Sequence, residues 1–254
     1  MIKLPKLLGF VVVALFSVTS LIAQDMNPEA AKFFNTGNEK LKAGDYQSAI
    51  TNYDQALKIA PDYRIYYQKG IALKKAGKNQ ESIPVLKEAE KLNHNFHGTY
   101  NALGSSYYAL NQMEDAIANF QKAVDISKDL KSKNDIKKNI ALSYLKLGNN
   151  QLSDGNMSKA IEYLQKAVEN NNLDNAYLAL SRAYNENGDW DKSIAAAENA
   201  LKYRNSIGKG GPYYYMGLGF KNKGDVTKAR ENFNLSKADP QYKKVAEYEL
   251  SLIK

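Results

Sequence analysis

The sequence predicts an all-α fold, a right-handed α-solenoid of six helix–turn–helix repeats followed by a C-terminal capping helix. Small residues recur at the same five intervals, which are 33, 34, 44, 33 and 36 residues. One set comprises Gly37, Gly70, Gly104, Gly148, Ser181 and Gly217. The turn set comprises Gly44, Gly77, Asn111, Gly155, Gly188 and Gly224, and two further sets begin at Ala49 and Ala56. Because one helix pair cannot bury both of its apolar faces, the repeats are expected to stack.

Residues 1–23 have the composition of a secretory signal peptide. Lys3 and Lys6 precede an apolar run, and Ala23 ends a plausible cleavage site. An uncleaved membrane anchor is the alternative, because residues 7–23 carry no charge and reach the minimum of roughly 17 residues for spanning. Both interpretations predict an exported bacterial protein, in the periplasm or cell envelope, with secretion as a further alternative. Contact with a membrane is expected only if this segment is uncleaved.

The composition excludes several classes of site. The chain has no cysteine, so it forms no disulfide and no thiolate metal site. It contains 35 basic and 27 acidic residues, a formal charge of +8 that falls to +6 without Lys3 and Lys6. Both signs are spread along every repeat, which argues against nucleic-acid binding and favours a solvated surface.

The first repeat, residues 30–62, follows a linker at residues 24–29, and Asn27-Pro28 marks a helix start. Its pattern resembles the tetratricopeptide repeat, a helix–turn–helix unit of about 34 residues. The matching residues are Gly37, Ala49, Tyr53, Ala56 and Pro61, then Tyr100, Leu103, Gly104, Tyr107, Ala116, Phe120 and Ala123, then Tyr177, Leu180, Tyr184 and Ala200. The resemblance is specific for the fold and nearly silent about function.

The remaining repeats are placed at residues 63–96, 97–128, 134–173, 174–205 and 210–239. Pro84 is expected as a first-turn proline or a slight kink of the second repeat's second helix. The 44-residue interval predicts an insertion at residues 127–135, where Asn134 or Asp135 caps an unusually long helix and the solenoid protrudes or bends. Trp190 is expected to pack at a helix–helix corner, and residues 206–212 to form a flexible loop ending in a proline suited to a helix start.

The last segment, residues 241–254, is predicted to be a capping helix that Asp239-Pro240 opens. Val245 and Leu252 are expected on the side that covers the sixth repeat, with Glu249 elsewhere.

No motif for catalysis is present. His94 and His97 lie in a connection without further ligands nearby in sequence, so no metal is expected. Residues 208–211 lack the spaced glycines and Ser/Thr of a phosphate loop, and no G-x-S-x-G or H-E-x-x-H occurs. The sequence therefore predicts a protein that is not an enzyme, with no cofactor and no catalytic residue.

The resemblance implies that the first helix of each repeat lines a concave groove that holds a protein or peptide partner. The groove positions are Phe34, Asn38, Tyr67, Ile71, Lys74, Asn101, Ser105, Tyr108, Asn149, Arg182, Asn185, Tyr214 and Lys221. Aromatic rings supply contact area, and asparagines can bond a peptide backbone. The alternative is that several of these residues pack between adjacent first helices. The carboxylate clamp of chaperone-binding members is absent, because Phe34 stands where its lysine belongs.

Two other functions remain open at this point. The chain could self-assemble through its edges or its insertion into an envelope oligomer, or serve as an accessory subunit of an enzyme; the oligomeric state is not predicted. The basic insertion could contact an acidic partner or lipid head groups, or be a solvated run. Its lysines are Lys128, Lys131, Lys133, Lys137 and Lys138.

Overall fold

The structure is a computed structural model that describes residues 26–253, and the regular elements in that range are thirteen α-helices. Repeats one to three comprise α1 (Pro28–Lys42), α2 (Tyr46–Ile59), α3 (Tyr63–Lys75), α4 (Asn79–Leu92), α5 (His97–Ala109) and α6 (Met113–Ile126). Repeats four to six comprise α7 (Leu130–Ser153), α8 (Met157–Asn170), α9 (Asp174–Asn187), α10 (Trp190–Lys202), α11 (Gly210–Asn222) and α12 (Val226–Ser236). The chain ends with α13 (Lys243–Leu252). The predicted signal segment lies outside the described residues.

None of the helices in residues 26–253 is both long enough and apolar enough to cross a bilayer.

The turn inside each repeat is set by one residue with a positive φ. Five of these residues are glycines, and the sixth is Asn111 with φ 61°, a residue type that tolerates the left-handed region. In the first repeat the Asp45 N–H returns to the Lys40 carbonyl at 3.0 Å, which satisfies an orphan carbonyl at the end of α1. The predicted turn set is therefore confirmed in all six repeats.

Within a repeat, the two helices approach closely because a small residue faces a large one. A Cβ at Gly37 would lie 2.6 Å from the Tyr53 ring, and a Cβ at Gly104 would lie 2.6 Å from the Phe120 ring. These contacts leave no room for a side chain, which explains the recurring glycines. The large partners follow the same intervals along the chain and are Tyr53, Leu86, Phe120, Leu164 and Phe233.

The fifth repeat instead pairs two small residues. Ser181 stands in the glycine column, and Ala197 stands where the other repeats have a large side chain. The Ser181 hydroxyl donates to the Ser193 carbonyl at 2.9 Å, and the Ser193 hydroxyl donates to the Ser181 carbonyl at 2.9 Å. Because all three side chains are completely buried, this reciprocal pair replaces the apolar contact of the other repeats while satisfying both hydroxyls.

The stacking order defines an inner and an outer side. Consecutive helices contact each other along the chain, and each first helix also contacts the first helix of the next repeat, from α1 and α3 through α9 and α11. In the described range, the second helices make no comparable contacts among themselves. The first helices are therefore closer together, and they form the concave side of the predicted all-α solenoid.

The ten-residue excess between the third and fourth repeats is helical. Helix α7 has 24 residues and begins at Leu130, so the predicted long helix is confirmed. The predicted caps Asn134 and Asp135 were wrong. Asp129 is the N-cap, and its carboxylate accepts a hydrogen bond from the Ser132 N–H at 2.7 Å, the bond that satisfies a free amide in the first turn.

The first-turn position, one of the two alternatives predicted for Pro84, was wrong. Pro84 is the sixth residue of α4 and therefore lies beyond the first turn, where it leaves the Gln80 carbonyl without its helical donor. The predicted covering face of the last helix was also wrong, because Val245 and Leu252 are 42% and 51% exposed. The buried residues are Ala246 on α13 and Ile253 directly after it, and both pack in the cluster of Ala229 and Phe233 on α12.

The N-terminal start and the last connector match the sequence in part. The Asn27 side chain accepts from the amides of Glu29 and Ala30 at 2.9 and 3.2 Å, as expected for a helix start. Pro212 lies in the first turn of α11. Trp190 is half-buried as the first residue of α10. The loop before α11 was predicted to be flexible, but its backbone is held in place: the N–H groups of Asn205 and Ile207 donate hydrogen bonds to the Asp174 carboxylate.

Candidate functional site

The groove residues of the first repeat are partly used for internal packing. The Phe34 ring lies 6.0 Å from the Tyr53 ring, and the Tyr53 hydroxyl donates to Asn38 Oδ1 at 2.8 Å. Burial raises the pKa of Tyr53 to about 12, so the hydroxyl stays protonated and continues to donate. Both predicted residues are half-buried, which leaves one side of each available to a partner.

The second repeat contributes an aromatic, an aliphatic and a cationic residue. Tyr67 packs edge-on against Phe96 with ring centroids 5.0 Å apart, and Ile71 packs against the core. Lys74 is half-buried, and burial followed by repulsion from Lys75 lowers its pKa to about 8. At neutral pH it remains mostly charged, in a position that would favour an anion.

A first cleft opens between α5 and α7. It brings the predicted residues Ser105 and Tyr108 together with Asn139 and Leu142, above the Phe120 ring. Asn101, also a predicted groove residue, lies beside this cleft, and its side-chain oxygen accepts a hydrogen bond from the Asn139 amide at 3.4 Å. Repeat position did not select Asn139, because this residue belongs to the added turns of α7 and reaches α5 only through the stacking of the repeats.

A second, larger cleft lies between α7, α9, α11 and the turn before α13. It has a volume of about 200 Å³ and joins the predicted residues Asn149 and Arg182. The remaining lining residues are Leu152, Asn175, Leu178, Ala179, Tyr215 and Tyr242. Three amide or hydroxyl groups at this cleft, those of Asn175, Tyr215 and Tyr242, were missed. Tyr242 could not be found by repeat position, because it lies outside the six repeats.

The polar groups of the second cleft differ in charge and in hydrogen bonding. Arg182 Nε donates to Glu186 Oε1 at 2.6 Å, one turn along the same helix. Burial raises the pKa of Tyr215 and of Tyr242, so both hydroxyls are neutral over the physiological range. The cleft therefore presents neutral groups that both donate and accept, beside one guanidinium paired with a carboxylate.

The last predicted residues are held by internal contacts. Lys221 Nζ lies 2.6 Å from Glu249 Oε2, and the Tyr214 ring lies 5.7 Å from the Tyr242 ring. The Asn185 amide is 3.5 Å from the Ser193 hydroxyl. Helix α13 and the turn before it thus occupy the sixth-repeat end of the groove, and the central clefts are the more accessible part.

The two histidines do not converge on a metal site. His94 is exposed, whereas His97 is half-buried and its ring lies 5.9 Å from the Phe96 ring. Among residues 26–253, no group of three or more His, Cys, Asp or Glu side chains is placed to hold a metal ion.

The chain is similar to known repeat proteins over most of its length. Two models of the tetratricopeptide repeat match it, one at residues 34–96 and 145–212 and the other at residues 95–172. The small glutamine-rich tetratricopeptide repeat-containing protein 2 of Mycosarcoma maydis is 27% identical over 125 residues, which cover 49% of this chain and 35% of that protein. The protein of the same name in Saccharomyces cerevisiae is 30% identical over 94 residues, covering 37% of this chain and 27% of that protein. The chain thus matches about a third or less of each curated relative.

Solved structures agree with the fold. A crystal structure of MamA has a TM-score of 0.52 at 25% identity, covering 68% of this chain and 91% of MamA. The C-terminal part of a repeat protein from Cytophaga hutchinsonii has a TM-score of 0.55 at 18% identity, covering 79% of this chain and 76% of its own, and supports the fold alone. Since the family matches continue from residue 34 to residue 212 along a solenoid of helix pairs, the chain belongs to the tetratricopeptide repeat family.

Proposed function

We propose that the chain is a non-catalytic scaffold or adaptor that binds a protein or peptide segment in its concave groove. The observation that carries the proposal is the second cleft, where side chains from three first helices and the C-terminal turn face one open space. Amide side chains there can pair with both the N–H and the C=O of an extended peptide. Tyrosine rings and leucines beside them supply the contact area that dominates peptide binding.

The cleft can also accept an acidic group. The Arg182–Glu186 pair is partly exposed, with side-chain exposures of 49% and 39%, so it contributes only about 0.3–0.5 kcal/mol. A carboxylate on the partner could replace Glu186 at small cost and form a charge-assisted bond with the guanidinium.

We place this scaffold in the bacterial periplasm or cell envelope, with secretion as the alternative. The support is the sequence of residues 1–23, with two lysines before an apolar run. The absence of cysteine is compatible with an oxidising compartment, because such a chain can form no incorrect disulfide.

Site-specific photo-crosslinking in intact cells tests the proposal. A photoreactive phenylalanine at Tyr108, in the first cleft, should form a discrete adduct, whereas the same group at Leu92, the last residue of α4, should not. Leu92 is the control because its side chain is also large and exposed, at 51% against 37% for Tyr108, and it lines neither cleft. Equal adducts at both positions would contradict a groove-bound partner.

Affinity measurements with the captured partner refine the site. Replacing Asn149 and Asn175 with alanine should each weaken binding by about 2- to 10-fold, the effect of one lost hydrogen bond. Asn150→Ala is the control, because Asn150 is exposed on the same helix and does not line the cleft. Unchanged affinity in both cleft variants would remove this cleft from the binding site.

Self-assembly into an envelope component is a second candidate, favoured by one observation. Val245, Tyr248 and Leu252 lie at i, i+3 and i+7 of α13 and are 42%, 62% and 51% exposed. They form an apolar face at the end of the stack, where a further repeat would pack. Light scattering over a range of concentrations should detect oligomers that Tyr248→Lys disperses; a strict monomer at high concentration eliminates this candidate.

A further inference from the structure

The first turns of α7 carry a basic surface that the groove function does not use. It comprises Lys128, Leu130, Lys131, Lys133, Lys137 and Lys138, and is called the basic tip below. With Asp129 and Asp135 included, residues 128–138 have a formal charge of +3. Four of the five lysines are exposed and Lys133 is half-buried.

Within the described part of the chain, the lysines of the basic tip have no acidic partner. Elsewhere in the described chain, Lys69 pairs with Asp54 at 2.5 Å and Lys166 with Glu162 at 2.6 Å. In residues 26–253, none of the five basic-tip lysines lies within 4.0 Å of a carboxylate oxygen. Their charge is therefore available to an external anion.

This charge opposes the stability of the helix that carries it. Lys131 and Lys133 are the second and fourth residues of α7, and its first turn contains no acidic residue. Cations are unfavourable at a helix N-terminus, where the macrodipole is positive. A sequence that departs from a local stability rule in this way is typical of a functional surface.

One exposed leucine lies within the lysines. Leu130 is 72% exposed, whereas Ile136 and Ile140 on the other side of α7 are 2% and 1% exposed. Lys133 and Lys137 follow Leu130 at i+3 and i+7, and so share its face of the helix. Lys131 and Lys138 are seven residues apart and border the same face. The exposed arc therefore has an apolar centre and a basic rim.

We propose that the basic tip binds an anionic lipid surface. Lysine ammonium groups are flexible point charges that suit phosphates without fixed geometry, and each adds to the attraction of an anionic bilayer. A leucine among them can enter the boundary between head groups and acyl chains. An acidic polypeptide could also form ion pairs with the lysines, but it would leave Leu130 without an apolar environment.

A local fluorescent probe on the full chain tests the proposal. The chain contains no cysteine, so one introduced cysteine can be labelled with a polarity-sensitive dye. Asn134→Cys places the dye on the arc of the basic tip and keeps Leu130 and all five lysines. Asn150→Cys is the matched control, because it is also exposed and lies on the same helix, 16 residues away. Residues 1–23 are present in both proteins, so any membrane insertion by that segment is common to both.

The dye at position 134 should shift to the blue with vesicles of equal parts phosphatidylglycerol and phosphatidylcholine, and not with phosphatidylcholine alone. Added salt should reverse the shift by screening. Each Lys→Gln substitution among Lys131, Lys133, Lys137 and Lys138 should weaken binding about fivefold. The variant with all four substitutions should abolish the shift while circular dichroism shows an equal or higher melting temperature, since removing these cations does not disfavour α7.

Several results would overturn the proposal. They are an unchanged dye at position 134 with the anionic vesicles, an equal response on neutral vesicles, and an equal response at position 150. An equal response with polyglutamate in place of vesicles would assign the basic tip to an acidic polypeptide instead. Leu130→Ser should retain salt-sensitive binding but reduce the blue shift; an unchanged shift would exclude insertion of the leucine.

Discussion

The Asp174 carboxylate accepts two hydrogen bonds from Ser206, one from the backbone N–H at 2.5 Å and one from the hydroxyl at 2.7 Å. The backbone N–H groups of Asn205 and Ile207 add two more, at 2.7 and 3.0 Å. Asp174 is the first residue of α9 and is only 5% exposed. One side chain thus fixes the connector that leads to α11, and with it the wall of the second cleft that Tyr215 provides.

Replacing Asp174 with asparagine should lower the free energy of unfolding by about 2–4 kcal/mol. The amide is similar in shape, but its NH₂ group would face backbone donors, and hydrogen bonds to a charged acceptor are worth about 1.5–3 kcal/mol. Chemical denaturation monitored by circular dichroism measures the loss. Asp154→Asn is the control, because Asp154 follows α7 on the exposed surface. A difference below about 0.5 kcal/mol would contradict the anchoring role of Asp174.

The same carboxylate predicts a specific dependence of stability on pH. Burial alone would raise the pKa of Asp174, but the donors at Asn205, Ser206 and Ile207 outweigh it and hold the pKa well below its usual value. A depressed folded-state pKa gives stability that is complete above the unfolded pKa of about 3.9 and is lost below it. The stability difference between the native chain and Asp174→Asn should therefore be constant from neutral pH to about pH 5 and shrink below pH 4. A difference that grows on acidification would contradict this sign.

The fold was predictable because its determinants are local and repeated. The glycine that faces a ring, such as Gly104 facing Phe120, belongs to one set of recurring positions, and the ring belongs to a second set with the same spacing. The turn residues with a positive φ form a third set. Details that depend on a single cap or helical face were not predictable from the repeat. Asp129 precedes α7 at a position that does not recur among the repeats. Helix α13 lies outside the six repeats, so no recurring position marks its buried side.

The fifth repeat suggests an exchange experiment for the size pairing between helices. Gly104→Ser alone should destabilise the chain by about 1–3 kcal/mol, because its side chain would overlap the Phe120 ring. In a Phe120→Ala background the serine should cost much less, since that pair reproduces Ser181 with Ala197. Denaturation of the two single variants and the double variant forms a cycle. A coupling energy near zero would show that the two positions act independently.

The groove was only partly predictable, because some of its residues are brought together by contacts between repeats. Asn149 and Arg182 were found because each follows the repeat position. Asn175 and Tyr242 enter the same cleft through the stacking of α9 and the fold-back of the C-terminal turn, neither of which a single repeat encodes. Conversely, repeat spacing places Lys221 in the groove, but its ammonium group is already paired with Glu249 of α13.

Lys221 and Glu249 supply the last prediction, which concerns how α13 is held. Their 2.6 Å pair has side-chain exposures of 31% and 12%, so removing the lysine leaves a carboxylate largely shielded from water. Lys221→Met should weaken the docking of α13 by about 1–3 kcal/mol and speed hydrogen exchange of its amides, whereas α1 should keep its native rates. Lys223→Met is the control, because its partner Asp191 is 82% exposed and such surface pairs contribute about 0–1 kcal/mol. If both variants exchange alike, the pair is not what holds the last helix, and the apolar contacts of Ala246 and Ile253 with the sixth repeat must be sufficient.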